Sequence, residues 1–276
     1  DMREPESIDL GEFDVFVVLA GLVGDPVTRH VPEIAESVNG QGVVTFLAAV
    51  ADFPDAQKIF ISTCSNYGKL PQGTLATEET ELSPLSPYAT QKVQAEAFIS
   101  DDKRLRDSAT VLRFSTAYGL SPRMRLDLTV TEFVHDAIAT GELRIYDADT
   151  WRPYAHVADL SLAVAKVIDS RNSLDVQGVF NVGFSSQNFT KRMIGDMVRS
   201  ALPSTQIVID GDSGDARDYR VSFDKFDRMF GLSPSHSLEE HIPQLVRAFQ
   251  NGLLKGISQN LPMASRNDGS LLSRGH

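Results

Sequence analysis

Three short runs, VFVVLA at 15–20, KIFIS at 58–62 and ATVLRF at 109–114, alternate with segments of helical periodicity, and this alternation constrains the chain most. Runs this short and this continuously apolar are found in strands buried on both faces of a parallel sheet. Between the first two, Ile34, Val38, Val43, Phe46, Leu47 and Val50 recur at helical spacing over residues 32–50. Between the second and third, a polar loop of about twenty residues leads to Ser86-Pro87 and a helix over 88–99. Parallel neighbours need a crossover, and helices supply it. The expectation is an α/β protein built on a doubly wound parallel sheet.

Beyond residue 116 the alternation loosens. Helices are expected over 129–140, 157–170, 190–201 and 238–253, with strands at 143–146, 179–182 and 206–209. Residues 256–276 are polar and read as a loose C-terminal tail.

Charge narrows the partners. A formal net charge of −11 leaves no basic face for neutralising a nucleic-acid backbone, although two or three arginines suffice for a diphosphate. The longest apolar stretch, 15–23, is about half of what a membrane span needs. Cys64 is the only cysteine, so no internal disulfide can form, in keeping with a reducing, cytoplasmic compartment.

Tyr88-Ala-Thr-Gln-Lys92 is a YxxxK motif. Positions i and i+4 share a helix face, so the ammonium can favour the ionised phenol and bring its pKa of about 10 towards working pH. Such a tyrosinate can exchange the proton that accompanies hydride transfer at a carbinol. By itself the motif is cheap, since six tyrosines and eight lysines in 276 positions give about 0.2 such pairs by chance. The strand before it, however, ends in a cluster of hydroxyls, Ser62-Thr63-Cys64-Ser65.

ISTCSNYG at 61–68 followed by SPYATQK at 86–92 resembles the Ser/Thr-bearing strand and the Tyr-Lys helix of extended short-chain dehydrogenases/reductases, the NAD-dependent sugar-nucleotide epimerases and dehydratases. VLAG at 18–21, Asn39-x-x-Gly42, WRPYAHVADL at 151–160 and FNVG at 180–183 extend the resemblance to about residue 255. It implies a Rossmann-like fold with Tyr88, Lys92 and Thr63 as the catalytic set. It also implies NAD (or NADP) along the strand ends. Asp1, Met2, Leu19, Ala20, Gly21, Asn39, Ser62 and Phe114 would line the cofactor. On the substrate side it implies Cys64, Ser65 and Thr116 (where the family usually has asparagine), with Arg152, Arg217 and Arg220 against a nucleotide diphosphate. His156 reads as a packed histidine. Residues 1–116 and 155–183 would form an N-terminally incomplete Rossmann-like domain, and 117–154 and 184–255 a smaller α/β substrate-binding lobe. A homodimer is expected through the helices of 32–50 and 88–99, with Val43, Leu47, Val93 and Phe98 as candidate contacts.

The family's dehydratases follow the catalytic Thr with Asp-Glu, and its 3,5-epimerases place a cysteine two residues before the motif tyrosine. Here those positions hold Cys64 and Ser65, and Ser65, respectively. Oxidation–reduction at carbon 4 of a nucleotide sugar remains, with a 4-epimerase expected ahead of a 4-ketoreductase. The family's GxxGxxG loop, which cradles the pyrophosphate, does not occur in the sequence, and about three strands and two helices are expected upstream of Asp1. The rival expectation is a non-catalytic remnant. Either way, residues 15–20 should form an open sheet edge.

Overall fold

The structure is a computed structural model that describes residues 1–122, 124–211, 215 and 217–253, with the side chains of 25–27 excepted. The expected tail, 256–276, lies outside the described residues. Four parallel strands form the main sheet in the order Val15–Val18, Gln57–Thr63, Ala109–Phe114, Gly178–Val182. Their register sets Thr63 beside Phe114 and Phe114 beside Val182, so the carboxyl ends form one row. In open α/β sheets ligands bind outside that row.

Burial explains the strand composition. Nearly every residue of Gln57–Thr63 and Ala109–Phe114 is buried, as helices cover both faces. One face carries Val43–Val50 and Pro87–Asp101, packing Val43, Leu47, Ala95 and Ile99 onto Phe60 and Val111. The other carries Val157–Asp169 and Asp224–Phe230, packing Leu160, Val167, Phe226 and Phe230 onto Ile59, Leu112 and Phe180.

Val15–Val18 pairs, among the described residues, with Gln57–Thr63 alone, so it stands at an open edge as its sequence led us to expect. It ends two residues early, with Leu19 59% exposed. The helix expected over 32–50 is one helical run broken into Pro32–Ala35, a π-turn segment Glu36–Gly42 and Val43–Val50. Val43 and Leu47, candidates for a subunit contact, are instead buried against the sheet. They lie on the side of the helix that must cover Phe60 and Val111, so they are core residues.

A second core packs Val130, Phe133, Val134, Leu143, Ile145 and Ile194 against Leu238, Ile242, Leu245 and Phe249. Its helices, Thr129–Thr140, Lys191–Ala201 and Leu238–Gln250, gather around the parallel strand pair Glu142–Tyr146 and Gln206–Asp210. A three-stranded layer joins the two cores. In it Thr116–Tyr118 runs parallel to Trp151–His156, which pairs antiparallel with Asn188–Thr190.

Candidate active site

The helix Pro87–Asp101 begins where its sequence dictates. Ser86 caps it by accepting the Ala89 N–H at 3.3 Å, and Pro87 occupies the first turn, where its missing N–H is no loss. Tyr88 therefore sits, half-buried, at the end of the helix nearest the strand termini. One turn on, the Lys92 ammonium lies 5.8 Å from the Tyr88 ring centroid and 4.6 Å from that of Phe60. It donates to the Ile61 carbonyl at 2.7 Å, which pins the helix to the strand two residues before Thr63. Burial pushes its pKa down to about 8, against an upward pull from Glu96.

Thr63 closes its strand. Its Oγ1 accepts the Ser65 N–H at 3.1 Å and lies 2.9 Å from the Ser65 hydroxyl. The chain then turns through Cys64–Tyr67 to Gly68 at φ 66°, where a Cβ would collide with the Ser83 carbonyl oxygen. Cys64 faces inward, its thiol 3.2 Å from the Arg113 carbonyl oxygen and its pKa pushed up by burial. Its side chain therefore belongs to a small core with Tyr67, Tyr219 and Phe223.

The other expected residues separate into those that face the row of strand ends and those that do not. Leu19, Ala20 and Gly21 form an exposed loop after the edge strand. Asn39 holds that loop by both halves of its amide, accepting the Leu22 N–H at 2.7 Å and donating to the Leu22 carbonyl at 2.9 Å. Phe114 is half-buried at its strand end. Ser62 instead directs its hydroxyl into the helix layer, to Glu96 at 2.5 Å. Asp1 is paired with Arg3, and Met2 packs on the core beneath the helices. Thr116 stands in the joining layer, opposite Tyr154.

Arg152 is buried and lies 3.3 Å from the Asp215 carboxylate, which Arg217 also grips at 2.7 and 2.8 Å. Burial alone would raise the Asp215 pKa, but the hydrogen bonds and charges of these arginines win and hold it well below the carboxylate range. Two guanidinium groups thus converge on one anion. Arg220 does not join them: it is exposed and stacks over the Trp151 ring at 4.8 Å.

Residues 6–183 match the family model described as the NAD dependent epimerase/dehydratase family. The chain belongs to that family. Among curated proteins it is similar to UDP-glucose 4-epimerase 2 of Arabidopsis thaliana, 24% identical over 254 residues that cover 83% of this chain and 71% of the relative. An uncharacterised UDP-glucose epimerase of Bacillus subtilis is 30% identical over 132 residues, 47% of this chain and 40% of that one. Among solved structures, the UDP-glucose 4-epimerase of Thermus thermophilus superposes with a TM-score of 0.76 at 23% identity, covering 91% of this chain and 84% of the other. The dTDP-glucose 4,6-dehydratase of Streptomyces venezuelae gives 0.77 at 21% identity, covering 91% and 78%. The fold is therefore common to epimerases and dehydratases.

The family is NAD-dependent, and the residues present fit the reactive end of that cofactor. Lys92 uses one of its three N–H bonds on Ile61, so its remaining N–H groups would be the ones to hold hydroxyls of a bound cofactor. The backbone cradle for a pyrophosphate, GxxGxxG, does not occur in the sequence.

Two clusters escaped the sequence reading. Glu96 and Arg113 form a buried ion pair, with Nη2 to Oε2 at 2.6 Å. Arg113 also donates to the Tyr67 hydroxyl at 3.0 Å, which is 2.8 Å from Asn181 Oδ1. The available signal was the spacing of Tyr88, Lys92 and Glu96, four residues apart on one helix face. The second cluster is three histidines. The His156 and His236 rings stack at 3.9 Å, and His241 lies 5.1 Å from His156. His156 is remote in sequence from the other two, and no motif links the three.

Proposed function

We propose that the chain carries out NAD-dependent oxidation–reduction at carbon 4 of a nucleotide sugar, as a 4-epimerase. The observation that carries this reading is the assembly near the strand ends: Lys92 over the Tyr88 ring and bonded to Ile61, two residues before Thr63, with Cys64 turned inward and a hydroxyl, Ser65, where elimination would need a carboxylate. In this reading Tyr88 takes the proton of the sugar 4-hydroxyl and later returns it. Lys92 stabilises the phenolate by its charge, and the Thr63 hydroxyl orients the carbinol oxygen. NAD, when bound, supplies a hydride acceptor and donor. Arg152 and Arg217 would hold the diphosphate in place of Asp215, within a substrate lobe of residues 117–154 and 184–255. The kinship with the Arabidopsis UDP-glucose 4-epimerase supports the reaction class.

Tyr88→Phe in the full-length protein is expected to lower turnover of a nucleotide sugar by ~100-fold or more while leaving its binding nearly unchanged. Lys92→Ala should be damaging and Thr63→Ala less so. Near-normal turnover by Tyr88→Phe would end the assignment. Interconversion of two epimers without added cofactor separates the epimerase from a 4-ketoreductase, which would consume NAD(P)H stoichiometrically.

A further inference from the structure

The buried ion pair beneath Tyr88 and Lys92 has a use that the reaction chemistry alone does not name. We propose that Glu96 is a positioning residue, which holds the Tyr88–Lys92 helix face in register with two strand ends and supplies a negative charge to the neighbourhood of the Lys92 ammonium. This rests on the catalytic reading above.

Register comes first. The Glu96 carboxylate accepts from four N–H or O–H groups: Ser62 at 2.5 Å, Asn66 at 2.8 Å, and Arg113 Nε and Nη2 at 3.1 and 2.6 Å. Ser62 belongs to the strand that ends in Thr63, and Arg113 to the neighbouring strand that ends in Phe114. One turn back on the same helix, Lys92 bonds Ile61. A helix advances 1.5 Å and rotates about 100° per residue. A slip of one residue would therefore break the Lys92 and Glu96 contacts together. Glu96 thus fixes how far Tyr88 stands from Thr63.

Charge comes second. Lys92 is buried, and burial opposes its charged form; the Glu96 carboxylate opposes that effect. Arg113, for its part, spends Nε and Nη2 on Glu96 and Nη1 on Tyr67 and the Glu78 carbonyl. The carboxylate needs the guanidinium to remain buried, and Lys92 needs the carboxylate.

Glu96→Gln alone would leave a buried guanidinium unpaired and destabilise the fold. The informative variant is Glu96→Gln with Arg113→Gln, which removes both charges and keeps amide hydrogen bonds. The direct readout is the titration of Lys92 by NMR of isotopically labelled lysine, assigned with Lys92→Arg, and it requires no turnover. In the folded double variant the Lys92 proton affinity should fall about tenfold, one unit of pKa. Glu96→Asp, which keeps the charge, should titrate close to the unaltered protein. If Lys92 titrates identically in the folded double variant and the unaltered protein, Glu96 is a structural brace only and the proposal is overturned. A normal turnover rate in Tyr88→Phe would instead sink the catalytic reading, whatever Lys92 does.

Discussion

Glu96 and His241 are both removed from water, at 7% and 3% exposure, yet their surroundings treat charge in opposite ways. Around Glu96 every partner is a donor, and a full guanidinium answers the carboxylate. Around His241 the neighbours are the rings of Tyr118 and His156, and its Nε2 has no hydrogen-bond partner among the described residues. Burial, with the repulsion of His156 and His236, pushes the His241 pKa down to about 4. The first cluster answers a buried charge with an opposite one, whereas the second disfavours charge on His156 and His241. One molecule thus carries a buried site built from opposite charges and another built from uncharged rings.

The largest expected effect breaks the first cluster. Arg113→Met leaves the Glu96 carboxylate buried without its counter-charge and should cost about 3–5 kcal/mol in denaturant unfolding. A loss below about 1 kcal/mol would show that the carboxylate finds water, and the contrast between the clusters would fail.

Acid should act on the second. An unfolded histidine titrates near 6.5 and folded His241 near 4, so between these values the unfolded chain binds more protons at this group than the folded one. Stability from this group is complete above about pH 6.5 and is lost as pH falls towards 4, by at most about 1.4 kcal/mol per pH unit. His156 is shifted in the same direction, first by burial, then by His236, with Asp159 opposing. His241→Phe, which removes the titrating nitrogen and keeps a ring between Tyr118 and His156, should flatten the melting temperature between pH 7 and pH 5. An unchanged slope would place the acid response elsewhere.

How far the two clusters were legible follows from their geometry. The sheet and the Tyr88–Lys92 helix came from local spacing, because a buried strand and a capped helix write their periods into adjacent residues, whereas the open edge came from the family resemblance. The same four-residue spacing puts Glu96 on that helix face but went unread, and its partner Arg113 lies in a strand that reads as uniformly buried, where a charge gives no sign of what it meets. Val43 and Leu47 misled because a helix sandwiched between sheet and neighbouring helix shows apolar residues whether or not a second subunit covers it. The π-turn segment at Glu36–Gly42 and the joining layer at Trp151–His156 also had no local signature. The histidine cluster depends on contacts between His156, His236 and His241 that only the tertiary fold creates.

The smallest effect probes what ties the histidines to the sheet. Asp159, in the first turn of Val157–Asp169, is buried at 2% exposure and suits the positive end of that helix. Its carboxylate accepts from the backbone N–H of Ser235 and of His236 and lies 3.2 Å from His236 Nδ1. It thereby fixes the turn that leads into Leu238–Gln250, and with it the position of His241. Asp159→Asn keeps one acceptor and removes the charge, so at pH 7 the loss should be about 1 kcal/mol. Removing the carboxylate also removes an influence that raises the His156 pKa. Folded His156 then binds protons less readily, the difference from the unfolded chain widens, and stability should fall more steeply between pH 7 and pH 5 than in the unaltered protein. A shallower slope in Asp159→Asn would mean that protonated histidine is stabilised in the fold, and the second cluster would resemble the first.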